Sequence, residues 1–500
     1  MSDHDSQDQA GRPGPGQRPR PVLPLRARFA VEPGADDLNR IRSLAAEIVA
    51  REPALEADLS EPRRVRSGLA EGPALLIHDI SRTRPVTVAG PSVLEYRALL
   101  LAAEHDEVAI GVHRSPAFEN HVRGLLGLRD VAVHRIERAS GGWLAAAALE
   151  DDTLLDRLAG TARRAGSFTV RPYIAGPRIW ELAREIARRA GVAVAVTGPP
   201  PALTERVNDK LWFTQQATAL LGAGSTPPAA QADDLEELVA RVRELGGGQN
   251  QVAVRLRSAA AGEGNLVIPR PAIAGARPDA LEAMLGELFW VLDWDDIFPL
   301  QVAVWESPVL VSPSVQTWIP PAADGPPLVE AVLEQQFEGE GGTFCGVVPS
   351  TLPDPAQDRL AREAALLATL FQELGYFGRC SFDAILVDHE PASAAIHWVE
   401  CNGRWGGASI PMTAAERLVG DWRRQPFAVR SLERPTPRIA AEDALDRLGE
   451  LLLRPGGSEG VVLLSPTALE TGRGLDLMAL AGSGHRAARI ADRARDRLLA

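Results

Sequence analysis

The stretch Ile396-His397-Trp398-Val399-Glu400-Cys401-Asn402-Gly403-Arg404-Trp405-Gly406-Gly407 sets charged and amide side chains into an otherwise apolar, strand-like run. Upstream, Arg379-Cys380-Ser381-Phe382-Asp383-Ala384-Ile385-Leu386-Val387 has the same character, and the polar segment between them can close a hairpin. The two-residue period of a strand puts Glu400 and Asn402 on one face. A turn centred between Pro391 and Ala392 would place Asp383 directly opposite Glu400. Two carboxylates and an amide oxygen then share one surface. Carboxylates embedded in apolar strand need a partner. A hard-oxygen set without imidazole or thiolate suits Mg²⁺, with Mn²⁺ as the alternative, so Asp383, Glu400 and Asn402 are the candidate metal ligands. Arg404, two residues further on, can neutralise charge on a phosphoryl group in transfer. A solvated acidic hairpin is the competing reading, and the apolar surroundings weaken it.

Lys210 is the only lysine among 53 basic residues. A lysine ammonium is a compact point charge and an arginine guanidinium a planar fork, so a site that needs the former resists replacement. Lys210 falls at the start of a helical pattern over residues 209–221, where a cation opposes the helix dipole unless an anion lies nearby. Further on, strand Gln251–Arg257 enters Ser258-Ala-Ala-Ala-Gly262-Glu-Gly264-Asn265 and a return strand at Leu266–Ile268. Small residues there would let backbone N–H groups wrap phosphate oxygens. An ordinary glycine-containing hairpin turn fits the same letters. Strand patterns at Leu300–Glu306 and Val309–Trp318 and a helix at Gln357–Leu374 follow. Gly339–Ser350 reads as a loop and a candidate acceptor wall.

Before this region, Ala74–Ile80, Val108–Val112 and Val192–Val196 are apolar runs of buried parallel-strand type. Helical patterns alternate with them, the clearest from Pro177 to Ala190, with proline at the start and Gly191 just past the end. Such βα alternation predicts an open parallel sheet flanked by helices. No G-x-G-x-x-G follows these strands, so no dinucleotide site is expected there.

Net charge is −13, which argues against broad nucleic-acid or anionic-membrane binding but permits a local anion site. Three cysteines make neither a disulfide framework nor a paired metal motif, and a reducing cytoplasm is the expected compartment. The polar, proline-rich N-terminus has no apolar core of signal-peptide type. No apolar run approaches the ~18 residues that span a bilayer.

Taken in order, these segments resemble the ATP-grasp ligases. Asp383 and Glu400-x-Asn402-x-Arg404-x-Gly406-Gly407 resemble the family's metal and phosphate signature. Asn208-Asp209-Lys210-Leu211 resembles its first phosphate lysine at a helix start, Val252-Ala253-Val254-Arg255 the strand of its second basic residue, and Ser258–Asn265 its small-residue loop. Arg255 stands where many members carry lysine, and Arg257 is an alternative on the same strand face. Within the superfamily the chain looks most like peptide ligases of the pheganomycin biosynthetic type.

The resemblance implies an α/β protein with an N-terminal Rossmann-like pre-ATP-grasp domain and a two-subdomain ATP-grasp fold. The expected divisions are a disordered tail (1–25), the pre-ATP-grasp domain (26–198), a lid (199–298), a metal-binding subdomain (299–425) and a C-terminal extension (426–500). ATP would be held by Lys210, Arg255, Ser258, Gly262, Gly264 and Asn265, with Glu306 on the ribose and Mg²⁺ on Asp383, Glu400 and Asn402. Lys210 and Arg404 are the candidate catalytic residues. The implied reaction joins a small-molecule or peptide carboxylate to an amine through an acyl phosphate, in peptide natural-product biosynthesis, and a homodimer is compatible with it. A thiol, hydroxyl or phosphoryl outcome and a nucleotide-binding regulatory protein without turnover are the competing functions.

Overall fold

The computed structural model describes residues 23–56, 64–80, 93–137, 142–247, 251–258, 264–292, 294, 297–339, 342–388 and 390–500. The tail expected over residues 1–25 lies outside them up to residue 22.

Six strands form the first sheet: β1 (Val65–Ser67), β2 (Ala74–Ile77), β3 (Glu107–Ile110), β4 (Ala132–Arg135), β5 (Phe168–Pro172) and β6 (Val194–Val196). Their order is β1-β6-β5-β2-β3-β4, and every pairing is parallel. β2 and β6 are buried along their whole length, as a sheet covered on both faces requires. The helix Pro177–Ala190 forms as its sequence predicts. Proline occupies its first turn, Ile179, Leu182, Ala183 and Ile186 are buried along one stripe, and Gly191 closes it at φ 76°. The direction of winding reverses between β2 and β5, which carry the chain towards the cleft described below.

A second, antiparallel sheet holds β7 (Ala229–Ala232), β8 (Gln251–Arg255), β9 (Asn265–Ile268) and β10 (Leu300–Trp305) in the order β7-β10-β8-β9. Helices Leu235–Gly246 and Pro278–Val291 cover it and share its small core with Val252, Val254, Leu300 and Val302.

The third sheet is the largest. It contains β11 (Val309–Ile319), β12 (Leu328–Glu338), β13 (Thr343–Pro349), β14 (Gly378–Val387), β15 (Ala395–Asn402), β16 (Phe427–Leu432), β17 (Gly460–Leu463) and β18 (Leu475–Leu480). Their order is β15-β14-β11-β12-β13-β16-β18-β17. One face packs on helix Asp354–Glu373 through Val315, Val332, Leu367 and Phe382. Another core joins β16, β17 and β18 to β2, β3 and the short helix Glu95–Leu101 of the first unit.

Strand pairing therefore crosses two of the expected divisions: residues 300–305 add to the lid sheet, and residues 427–480 extend the metal-side sheet. Gly339–Ser350 is also not the loop its glycines suggested. Most of it is β13, paired with β12 and β16, and Gly346 lies against the Val429 carbonyl so closely that a Cβ would stand 2.2 Å from that oxygen.

Candidate active site

All three units face one cleft of about 410 Å³. On its metal-side wall, β14 and β15 pair antiparallel with Asp383 opposite Glu400 and Ser381 opposite Asn402. The expected pairing is present, but the route to it differs. Ala384 pairs with Trp398 and Val387 with Ala395, a hairpin centred on Pro391, and a bulge at Val399 restores Asp383 to Glu400. The bulge has a use: the Val399 carbonyl, released from the ladder, accepts a hydrogen bond from Arg255 Nη1 at 3.1 Å.

Asp383 is buried, and it accepts from Ser314 Oγ (2.5 Å) and from Asn402 Nδ2 (2.8 Å). Burial, and then the charge of Glu400, push its carboxyl well above the usual range. Burial acts the same way on Glu400, yet Lys210, Arg255 and Arg404 together hold it well below that range. Lys210 Nζ lies 3.2 Å and Arg255 Nη2 3.4 Å from Glu400 Oε2. The anion that a lysine at a helix start requires is thus Glu400, on a strand about 190 residues away in sequence. Asp209 caps the same helix by accepting from the backbone N–H groups of Leu211 and Trp212.

The two arginines of β8 and its continuation now separate. Arg255 enters the cleft, with Nε bonded to Asn265 Oδ1 and Nη1 to Gln301 Oε1. Arg257 instead forms an ion pair with Asp209, so it braces the helix start. Gly264 and Asn265 line the cleft, Ser258 is exposed and does not, and Gly262 falls outside the described residues. Glu306 lines the cleft too, and its Oε2 is 2.6 Å from His397 Nδ1. His397 therefore holds the carboxylate expected at the ribose.

Asn208 is the residue that sequence reasoning left without a task. Its side chain bonds the Thr204 carbonyl, the backbone N–H of Gly403 and the guanidinium of Arg404. It ties the lysine-bearing helix start to the end of β15. Gly403 permits the approach, since a Cβ there would lie 2.3 Å from Val207 Cγ2. The position of Asn208 two residues before Lys210 was the available signal.

The donor set fits a divalent cation. Two carboxylates on paired strands and an amide face a cleft, and the like charges of Asp383 and Glu400 would be relieved by a cation between them. Among the described residues no group of three His, Cys, Asp or Glu stands together, and Asn402 is the further oxygen-bearing side chain beside the two carboxylates.

Residues 95–188 match the family model of the pre ATP-grasp domain. Among solved structures, the chain is similar to an N5-carboxyaminoimidazole ribonucleotide synthetase in complex with ADP. That match has a TM-score of 0.53 and 13% identity, covering 86% of this chain and 97% of the other. The chain is mixed α/β, with a pre-ATP-grasp domain and an ATP-grasp-like fold. The biotin carboxylase domain of Hydrogenobacter thermophilus 2-oxoglutarate carboxylase, solved with ADP, its magnesium salt and bicarbonate, is similar at TM-score 0.51 and 13% identity over 85% of this chain and 89% of that one. The Aspergillus clavatus N5-carboxyaminoimidazole synthase matches at TM-score 0.52 and 14% identity, over 85% and 98%. Identities this low bear on the fold alone. A search of curated proteins finds no match. No described helix is long and apolar enough to cross a membrane.

Proposed function

We propose that this protein is an ATP-dependent ligase that joins a carboxylate to an amine through an acyl phosphate, releasing ADP and phosphate. The observation that carries this reading is one cleft in which Asp383, Glu400 and Asn402 face Lys210, Arg255 and Arg404 inside an ATP-grasp fold. Asp383, Glu400 and Asn402 would hold Mg²⁺, which supplies neutralisation of the β- and γ-phosphate charge. Lys210 and Arg255 bind phosphate oxygens, and Glu400 keeps both cations in place between turnovers. Asn265 and Gly264 cover the phosphates at the start of β9, and Glu306 accepts from the ribose with His397 fixing its orientation.

The substrate carboxylate attacks the γ-phosphorus and the β–γ bridging bond breaks. Arg404, pinned by Asn208, stabilises the charge that accumulates on the transferred group. The amine then attacks the acyl carbon, the C–O bond to phosphate breaks, and the amine proton is lost. Catalysis in this scheme is positioning plus charge neutralisation. The like resemblance to pheganomycin-type enzymes supports peptide or amino-acid substrates and a role in natural-product assembly.

The test is a product assay over carboxylate–amine pairs. Amide with ADP supports the proposal, whereas AMP, a thioester, an ester or a stable phosphoryl product rejects it. Glu400→Ala should lower ADP release by at least about 100-fold, the size expected when a group that holds transition-state charge is lost. Unchanged turnover would remove Glu400 from the site.

A further inference from the structure

The chain segment that precedes the first sheet does not join it. The Arg28 backbone N–H donates to the Val329 carbonyl of β12, and that of Leu25 to the Glu330 carboxylate, which fastens the segment to the metal-side sheet. Helix Ala35–Arg51 then lays Ile41, Ala45 and Ile48 into the core shared with Trp212, Phe213 and Leu360. Glu52 closes this helix, its backbone N–H donating to the Ile48 carbonyl. The Glu52 side chain reaches two further helices. Its Oε1 accepts from Trp212 Nε1 at 3.0 Å, and its Oε2 forms an ion pair with Arg206. Arg206 lies in the last turn of helix Pro201–Val207, and Trp212 in the first turn of helix Lys210–Leu221. One carboxylate therefore bridges the two sides of the link Asn208-Asp209-Lys210.

Lys210 lines the cleft, whereas Glu52, Arg206 and Trp212 do not. Asn208 and Asp209 fasten the link to Gly403, Arg404 and Arg257, and Glu52 fastens it to the N-terminal helix. The two bonds of Glu52 are unequal. The Arg206 side chain is 38% exposed, so water competes for that ion pair and it contributes little. Trp212 is buried, and its indole N–H would lose its partner without Glu52, which is the costlier loss. We infer that Glu52 is a positioning residue for Lys210. By holding the Trp212 indole it fixes the helical turn from which the lysine ammonium meets the nucleotide phosphates. This role rests on the reading of Lys210 as a phosphate contact.

Calorimetry of ADP with Mg²⁺ on the whole protein tests it. Glu52→Ala should weaken ADP binding at least about fivefold, the scale of one lost hydrogen bond. Glu52→Gln keeps an oxygen for Trp212 but gives up the charge for Arg206, and should stay within about twofold of the wild type. Trp212→Phe removes the indole donor and should reproduce the loss, so the test survives if Glu52→Ala does not fold. Added to Lys210→Met, Glu52→Ala should change ADP affinity less than about twofold, which a general loosening of the site would not give. Glu373→Ala, which removes the exposed pair that the same helix makes through Arg42, should leave affinity unchanged. Wild-type affinity in Glu52→Ala and Trp212→Phe, an equal loss in Glu52→Gln or Glu373→Ala, or an undiminished Glu52 effect without Lys210 overturns the inference. A wild-type protein that does not bind ADP would instead count against the nucleotide reading.

Discussion

At the scale of single residues, the structure turns a compositional oddity into an electrostatic one. Lys210 has a side chain only 5% exposed, and burial lowers its pKa against the pull of Glu400. A guanidinium is larger, planar and unable to shed its proton. Lys210→Arg keeps the charge but has to find room beside Arg255 and Glu400 in a packed site. ATP affinity should fall at least about tenfold, read by calorimetry, which is about 1.4 kcal/mol. Near-normal affinity would mean that a codon bias had merely passed this residue over. The sequence made the lysine, the acids and the arginine visible as types in order. It could not show that Glu400, opposite Asp383, also pairs with the two cations, because that depends on strands from two different sheets.

The decisive elements are β15 and the helix Lys210–Leu221. Their junction is held by Asn208 and permitted by Gly403, whose neighbours leave no space for a Cβ. Gly403→Ala should therefore cost about 1–3 kcal/mol of stability by forcing Val207 aside. It should also lower ADP release, because Arg404 moves with the turn. Thermal unfolding and turnover measured together check this, and a stable, fully active variant would show that the junction yields freely. The strands of this region were legible because their apolar period and bracketing turns are local properties. The bulge at Val399 was not, because it answers to Arg255, which reaches the released carbonyl from β8.

Across the whole molecule, the first unit and the metal-side sheet meet over a tight seam at His78, Arg171, Trp405 and Arg417. His78 is fully buried, and neither ring nitrogen has a partner among the described residues. Burial, and then the charge of Arg97, lower its pKa from 6.5 to about 3. The native protein thus refuses a proton that the unfolded chain takes up, so stability present above pH 6.5 is lost as the pH falls towards 3. At pH 4.5 the loss from this group is about 3 kcal/mol. His78→Leu should shrink the fall in stability between pH 7 and 4.5 by about that amount, measured by urea unfolding at both values. An unchanged fall would assign acid lability elsewhere. The seam also explains why residues 426–500 read only as a C-terminal extension. Strands β16, β17 and β18 are short and separated by helices Ala441–Leu448 and Thr467–Thr471, and only their place in an eight-stranded sheet and in the core shared with β2 and β3 makes them strands. By itself the sequence determined the parallel first sheet and the strand hairpin that carries Asp383 and Glu400, both of which follow from local periodicity and turn chemistry, whereas the facing of the two acids needed the bulge at Val399. Tertiary structure alone decided that Arg255 rather than Arg257 enters the cleft, that Glu400 neutralises Lys210, and that Arg97 reaches it from the first unit. Those outcomes depend on contacts between residues roughly 50 to 380 positions apart, and no local pattern records them.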